Sequence, residues 1–371
     1  MRFFLSLLFI LFPLLTAAQA PSAADTPPPR GIRAVWLCTY SGLDWPGRHY
    51  ARTEAEARDQ RARLSHIFDG LQAAGINTVL FQTRLRATVA YPSQIEPWDG
   101  AFSGTPGVAP PYDVLRFAID EAHRRGMELH AYLVAFPANT LPDAKRLGRQ
   151  ALPARHPKLC TRAGDKWHLD PGVPGTAEYL AEIVREIVSN YDVDGIHLDY
   201  IRYPEPSIPF DDRRTYARYG HQLPKAEWRR ENVNRTVQLI SETARAIRPW
   251  VKITCAPIGK YADLPAQSSK GWNARDAVSQ DAQLWLRSGW MDGLYPMMYF
   301  DGQHFYPFAV NWKEYAYGRP VVPGLGAYQL APEERNWSLL QIIRQLRFIH
   351  AEGFPGEAYF RSQFLLDNVK G

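Results

Sequence analysis

Along the chain, short runs rich in Val, Ile, Leu and aromatic residues recur, and most are followed by a stretch with apolar positions at helical spacing. The strand-like runs are 33–40, 78–84, 128–137, 195–204, 252–259, 293–300, 320–328 and 357–364. Helical spacing is read at 54–74, 112–125, 176–191, 225–248, 274–288 and 338–351, and more faintly in the short aromatic segment 306–317. Some boundaries are marked: the periodic run begun by Asp113 ends at Gly126, and Ala74-Gly75 stops the first helix just before Asn77. Within the strand-like runs one parity is Val/Ile/Leu-rich and the other aromatic or polar, as expected when one face meets helices and the other fills a closed interior. Strands that alternate with helices pair in parallel through right-handed crossovers, and eight is the closing number for a barrel. The predicted fold class is therefore α/β, a (β/α)8 TIM barrel forming a single domain over 31–371. An open doubly wound sheet would place a Gly-rich phosphate turn after its first strand, where this chain has Ser41-Gly42-Leu43-Asp44-Trp45-Pro46. Long loops at 85–111 and 138–174 follow strands 2 and 3, on the face where barrel enzymes build their sites.

The first 30 residues break this pattern. Arg2 precedes an apolar run over 3–15, interrupted by Ser6 and Pro13, and Ala18-Gln19-Ala20 offers a cleavage site; 1–20 is read as a signal peptide. The run is short for a bilayer span, and the polar, Pro-rich stretch 21–30 reads as a disordered lead-in. The mature chain is expected to be exported, periplasmic or extracellular, with no stable membrane insertion. At 371 residues, 46% hydrophobic and 22% charged, it is long enough for a large core. The formal charge of +5 is not gathered into Lys/Arg blocks, so no nucleic-acid partner is expected. Cys38, Cys160 and Cys255 make no disulfide framework; Cys38 and Cys255, inside strand-like runs, are read as buried small hydrophobes. There is no His-Glu-x-x-His, paired Cys-x-x-Cys, Walker loop or Gly-x-Ser-x-Gly, so neither a metal nor another cofactor is expected.

Candidate chemistry concentrates in Asp194-Gly195-Ile196-His197-Leu198-Asp199-Tyr200-Ile201-Arg202-Tyr203-Pro204. Period-2 alternation puts Ile196, Leu198 and Tyr200 on the helix-facing side and turns His197 and Asp199 into the barrel. A carboxylate there is costly unless paired or functional, and Asp199 lies toward the strand's C-terminal end, so it is read as catalytic. The competing reading is an ion pair with Arg202, Arg84 or Arg86. Gln82 and Arg84 share a face of the second strand, and with Arg86 they supply planar polar groups that grip sugar hydroxyls or carboxylates. His130 and Tyr132 share a face of the third strand. Asp301, after the sixth, is the second carboxylate by position, with Glu96 and Asp170 as further acids to weigh; Asp170 is favoured as a turn carboxylate. Eleven Trp and 13% aromatic residues exceed ordinary needs, and Trp36 and Tyr299 are among those at strand ends where rings stack on sugars. The site set is thus Asp199 and Asp301 as catalytic carboxylates, with Gln82, Arg84, Arg86, His130, His197, Arg202, Tyr299 and Trp36 binding substrate.

The chain also resembles the glycosyl hydrolase-like 10 family over nearly all of its mature length. The resemblance is carried by Arg33-Ala34-Val35-Trp36-Leu37, Leu43-Asp44-Trp45-Pro46, Ala74-Gly75-Ile76-Asn77-Thr78-Val79 through Phe81-Gln82, and Tyr91-Pro92-Ser93. It continues in Asp120-Glu121-Ala122-His123-Arg124-Arg125-Gly126-Met127, His130-Ala131-Tyr132, Leu169-Asp170-Pro171-Gly172 and the strand leading to Pro204. It implies a (β/α)8 barrel with glycosidase activity, and one branch of the family resembles a cell-division-associated hydrolase of peptidoglycan strands lacking stem peptides. Two departures stand out. After Arg86 the chain reads Ala87-Thr88-Val89 where the family has a Gly-Asp-Ala-like step. The Asp199 strand also looks distantly like the Asp-Gly-x-Asp-x-Asp-x-Glu signature of family 18 chitinases, but His197 replaces one Asp and Ile201 stands in place of the Glu. The expectation is an exported glycoside hydrolase acting on an N-acetylhexosamine polymer such as cell-wall glycan, with a polysaccharide as its partner. The second carboxylate is Asp301, a loop acid or the substrate's acetamido group. The alternatives are a non-catalytic barrel that binds glycan as an envelope scaffold, and a deacetylase, which requires metal ligands that the sequence does not display.

Overall fold

The computed structural model describes residues 31–367 other than 221 and 268–270. The expected signal peptide and lead-in, 1–30, lie outside the described residues. Each of the eight strand-like runs forms a parallel strand, and all but the second, which keeps its bounds of 78–84, are shorter than their hydrophobic stretch. In chain order the barrel strands are β1 (Ile32–Leu37), β2 (Thr78–Arg84) and β3 (Glu128–Val134). After an excursion through β4 (Pro137–Thr140), β5 (Cys160–Ala163) and β6 (Lys166–Leu169) come β7 (Gly195–Asp199), β8 (Lys252–Cys255) and β9 (Gly293–Leu294). β10 (Gly324–Leu325) and β11 (Gly356–Tyr359) complete the set. Their order is β10-β11-β1-β2-β3-β7-β8-β9. The two ends meet: Leu294 and Met297 bridge in parallel to Val321 and Gly324, with the Leu294 amide 3.0 Å from the Pro320 carbonyl. Closure removes the exposed edges that an open sheet would present.

Helices lie where the spacing places them, and capping shows why. Glu54–Ala73 starts with a reciprocal capping box between Thr53 and Glu56, and Val114–Arg124 starts with the Asp113 carboxylate accepting from the Arg116 amide. Ala282–Arg287 begins later than its hydrophobic pattern, and the faint 306–317 segment is helical over Tyr306–Glu314. No helix of the described residues is long and apolar enough to cross a membrane.

Strand parity separates two apolar clusters. Val35, Leu37, Val79, Phe81, Leu129, Ile196, Leu198 and Ile253 pack outward against the helices. Ala34, Trp36, Leu80, Tyr132, Val134, Tyr295 and Val322 fill the barrel. Full burial of each large aliphatic contributes about 1.5–3 kcal/mol. The interior also holds polar groups at defined heights, because register fixes depth: His130 lies beside Gly195, Tyr132 beside His197, and Val134 beside Asp199. Gly195 is required there, since a Cβ would come within 2.7 Å of the His130 ring.

Two features depart from the expectations. The loop after β3 carries an antiparallel sheet in the order β4-β6-β5. Its strands are only four residues long and partly polar, too short for their alternation to register. β7 ends at Asp199 because Tyr200 takes a left-handed conformation, φ 51°. Alternation stops at that residue, so Tyr200 is not on the helix-facing side; it packs against the interior cluster.

Candidate active site

Asp199 is the last residue of β7, at the C-terminal mouth of the barrel, and is 6% exposed. One carboxylate oxygen accepts from the Tyr132 hydroxyl at 2.8 Å and the other from the Tyr200 amide at 2.6 Å. Arg202 stands near, with Nη1 3.9 Å from Oδ1, an ionic contact without a hydrogen bond. Burial pushes the Asp199 carboxyl above its usual range, more than the Arg202 cation, the Tyr132 hydroxyl and the Tyr200 amide pull it down. The group is therefore easier to protonate than an ordinary aspartate.

Arg202 is itself 4% exposed. It stacks on the Tyr200 ring at 4.1 Å, and Nη2 reaches Glu205 at 3.4 Å. Its Nε and Nη1 find no hydrogen-bond partner among the described residues. One guanidinium thus lies between two carboxylates, and the charge of Glu205 adds to the upward pressure on Asp199. On another side is Tyr299, whose buried hydroxyl has no partner among the described residues and whose pKa is raised well above normal, by burial first and then by the charge of Asp199. Buried donors without partners beside a buried carboxyl are costly in an empty site and are what an incoming ligand satisfies.

The other expected residues divide by depth. Arg86 is at the mouth, half-buried, over the Tyr40 ring at 4.2 Å and donating to the Tyr40 hydroxyl at 2.9 Å; together they line a cavity of about 310 Å³. Asp301 is exposed, on the rim of another cavity of about 370 Å³ that Tyr299 also lines. Five residues read as sugar contacts are held inside instead. Arg84 is fully buried, donating to both oxygens of Glu96 at 2.8 and 2.6 Å and to the Val134 and Ala135 carbonyls. It fastens the 85–111 loop to the barrel. Gln82 accepts from the Thr39 and Tyr40 amides at 2.9 and 2.8 Å, which fixes the turn after β1. His197 has no exposed surface, accepts from the Trp36 indole at 3.1 Å and contacts Thr254 Oγ1 at 3.0 Å; burial holds its pKa well down, so it is neutral. Trp36, 1% exposed, is its partner in the same interior layer. His130 sits near the floor, against Glu128. Its β7 neighbour is Gly195, four residues before Asp199, a drop of about 13 Å at roughly 3.3 Å per residue. Alternation gave the correct face for Gln82, His197, Trp36 and His130 but not for Arg84, which a register shift after Gln82 sets beside the outward Leu133. It also carries no information about depth, and an eight-stranded barrel packs its interior solid.

Of the remaining acids, Glu96 serves Arg84 and also accepts from the Tyr179 hydroxyl at 2.8 Å. Asp170 closes a turn, accepting from the Gly172 amide at 2.9 Å and the Thr215 hydroxyl at 2.7 Å. Cys38 and Cys255 are buried and free. The sequence reading passed over Tyr132, Tyr200 and Glu205 as site residues. Tyr132 was legible as an inward neighbour of β7; Glu205 lies beyond the strand, where no periodicity reaches.

The likenesses to known proteins bear on the fold and the lineage. Residues 31–320 match the family described as glycosyl hydrolase-like 10. Glycosyl hydrolase DigH of Escherichia coli (strain K12) is 34% identical over 302 residues, which span 76% of this chain and 69% of that protein. Glycosyl hydrolase YngK of Bacillus subtilis (strain 168) is 29% identical over 345 residues, spanning 89% of this chain and 66% of that one. Among solved structures, the glycoside hydrolase domain of PgaB (BpsB) from Bordetella bronchiseptica superposes with a TM-score of 0.60 at 13% identity, covering 91% of this chain and 95% of that domain. The endo-1,4-beta-mannanase of Rhizomucor miehei does so with a TM-score of 0.54 at 10% identity, covering 89% and 86%. At such identities these two show the shared TIM-barrel fold, and the closer sequence relatives and the family match show the lineage: this chain belongs to the glycosyl hydrolase-like 10 family.

Proposed function

We propose that the protein is an exported glycoside hydrolase that cleaves an N-acetylhexosamine-containing polymer, with peptidoglycan glycan strands as its substrate. The observation that carries the reading is Asp199: a buried carboxyl at the barrel mouth, easier to protonate than an ordinary aspartate, flanked by Arg202 and Tyr299 with polar atoms that lack partners among the described residues. In the reaction Asp199 gives its proton to the glycosidic oxygen as the C–O bond breaks, and water adds to the anomeric carbon and releases a proton. The second carboxylate that takes up this proton is Glu205, the acid whose charge acts on Asp199 across Arg202. Asp301, on the rim of the neighbouring cavity, is the alternative acid.

The test incubates the mature protein with intact peptidoglycan, amidase-stripped strands, chitin oligomers and poly-glucosamine, and identifies products by mass. Cleavage of stripped strands, lost in Asp199→Asn and in Glu205→Gln but kept in Asp301→Asn, supports the full assignment. Loss in Asp301→Asn with Glu205→Gln active moves the second role to Asp301. Binding without turnover on every glycan supports the scaffold reading instead. Export is tested on periplasmic or secreted material, which is expected to start near residue 20; an intact Met1 there refutes it.

A further inference from the structure

The cavity of about 370 Å³ beside Tyr299 has a wall that the catalytic assignment does not use. Phe300, Phe308 and Tyr328 give it an aromatic lining. Three polar groups around it lack partners among the described residues: the Tyr299 hydroxyl, His304 Nδ1 and one end of the Gln329 carboxamide. Gln329 is 4% exposed, and its other end is held by the Tyr328 hydroxyl at 2.7 Å, so the side chain is fixed in place. Lys260, a buried cation in the same wall, is already bound to the Gly271 carbonyl at 2.9 Å and to Asp263 at 3.3 Å. Hydrogen-bonding groups on an aromatic lining, with Lys260 engaged elsewhere and the exposed Arg335 sharing the lining with the Asp301 carboxylate, suit a polyhydroxylated ring with an apolar face rather than an anion. The volume is near the low end of ligand clefts, roughly 300–1,000 Å³, which fits one sugar unit rather than several. Tyr299 lines this cavity and also feels the charge of Asp199, so the cavity adjoins the Asp199 site.

We propose that this cavity is a sugar subsite adjoining Asp199, and that Gln329 recognises the pyranose seated in it. The inference rests on the glycosidase reading above. Its test titrates the tetramer of N-acetylglucosamine into the Asp199→Asn protein by calorimetry, then into the same protein carrying Gln329→Leu or Tyr328→Phe. Losing one buried hydrogen bond weakens binding about tenfold in Gln329→Leu. Tyr328→Phe leaves the ring but frees the held end of Gln329, and weakens binding by a smaller factor, roughly threefold. Melting temperatures of the three proteins establish that each is folded; if Gln329→Leu does not fold, Tyr328→Phe decides. Unchanged affinity in the folded variants overturns the subsite while leaving the hydrolase reading intact. A parent protein that neither binds nor cleaves any glycan overturns both.

Discussion

Asp199 and Glu96 are both buried carboxylates beside an arginine, and neutralising them should have opposite consequences. In Asp199→Asn the amide keeps the same shape. Its oxygen still accepts from the Tyr200 amide, and the Tyr132 hydroxyl rotates to accept from the new NH₂. The arginine contact at 3.9 Å is ionic only, so little hydrogen bonding is lost. The carboxyl is raised in the folded state, so it contributes stability at acid pH that is lost as pH rises through its folded pKa; the amide does not suffer that loss. Melting temperature at neutral pH should be unchanged or higher, while turnover on stripped strands falls about 10²–10⁴-fold with the general acid gone. In Glu96→Gln, by contrast, Arg84 is fully buried and loses the charge behind two short hydrogen bonds of 2.8 and 2.6 Å. Breaking such a pair costs about 3–5 kcal/mol. At roughly 2 °C per kcal/mol for a large domain, that lowers the melting temperature by about 6–10 °C. The assay pairs calorimetric melting with product analysis on the same preparations. An active Asp199→Asn with a melting temperature depressed like that of Glu96→Gln would falsify the assignment and make Asp199 part of the architecture.

Three further outcomes are expected. Because Asp199 acts protonated, kcat/KM should fall as pH rises through its raised pKa; Arg202→Gln removes a cation that holds this pKa down, so the alkaline limb should move to higher pH, and a limb that stays put contradicts the role. His130→Gln, about 13 Å below the mouth, should leave KM within a factor of about two, as a steady-state comparison with the parent will show, whereas a tenfold rise would restore His130 as a sugar contact. Among the described residues no group of three His, Cys, Asp or Glu comes together as a metal-ligand set, so activity should survive EDTA; complete loss reversed by zinc would point to metal-assisted chemistry.

Periodicity by itself determined the barrel. Eight apolar runs alternating with helical spacing allow few closed solutions, and parity already separated Ile196 and Leu198 from His197 and Asp199, because side-chain direction in a strand is a local property. Asp199 was expected toward the strand's C-terminal end, and the left-handed Tyr200, which ends β7 midway along the run 195–204, is what sets it at the mouth. What remained hidden depends on register and on the chain beyond the strands. Gln82, His197, Trp36 and His130 lie on the inward parity as the pattern requires, yet which of them reach a ligand is set by strand stagger and by what fills each layer; Arg84 leaves that parity, because a register shift after Gln82 sets it beside the outward Leu133. The left-handed turn at Tyr200 ends β7 and carries the chain on to Arg202 and Glu205, so the acid that acts on Asp199 comes from a loop. Gln329 and Tyr299 meet across one cavity although 30 residues separate them, because the barrel closes by bringing β9 against β10. Local chemistry fixes the direction of each side chain, but only closure of the barrel decides which side chains share a site.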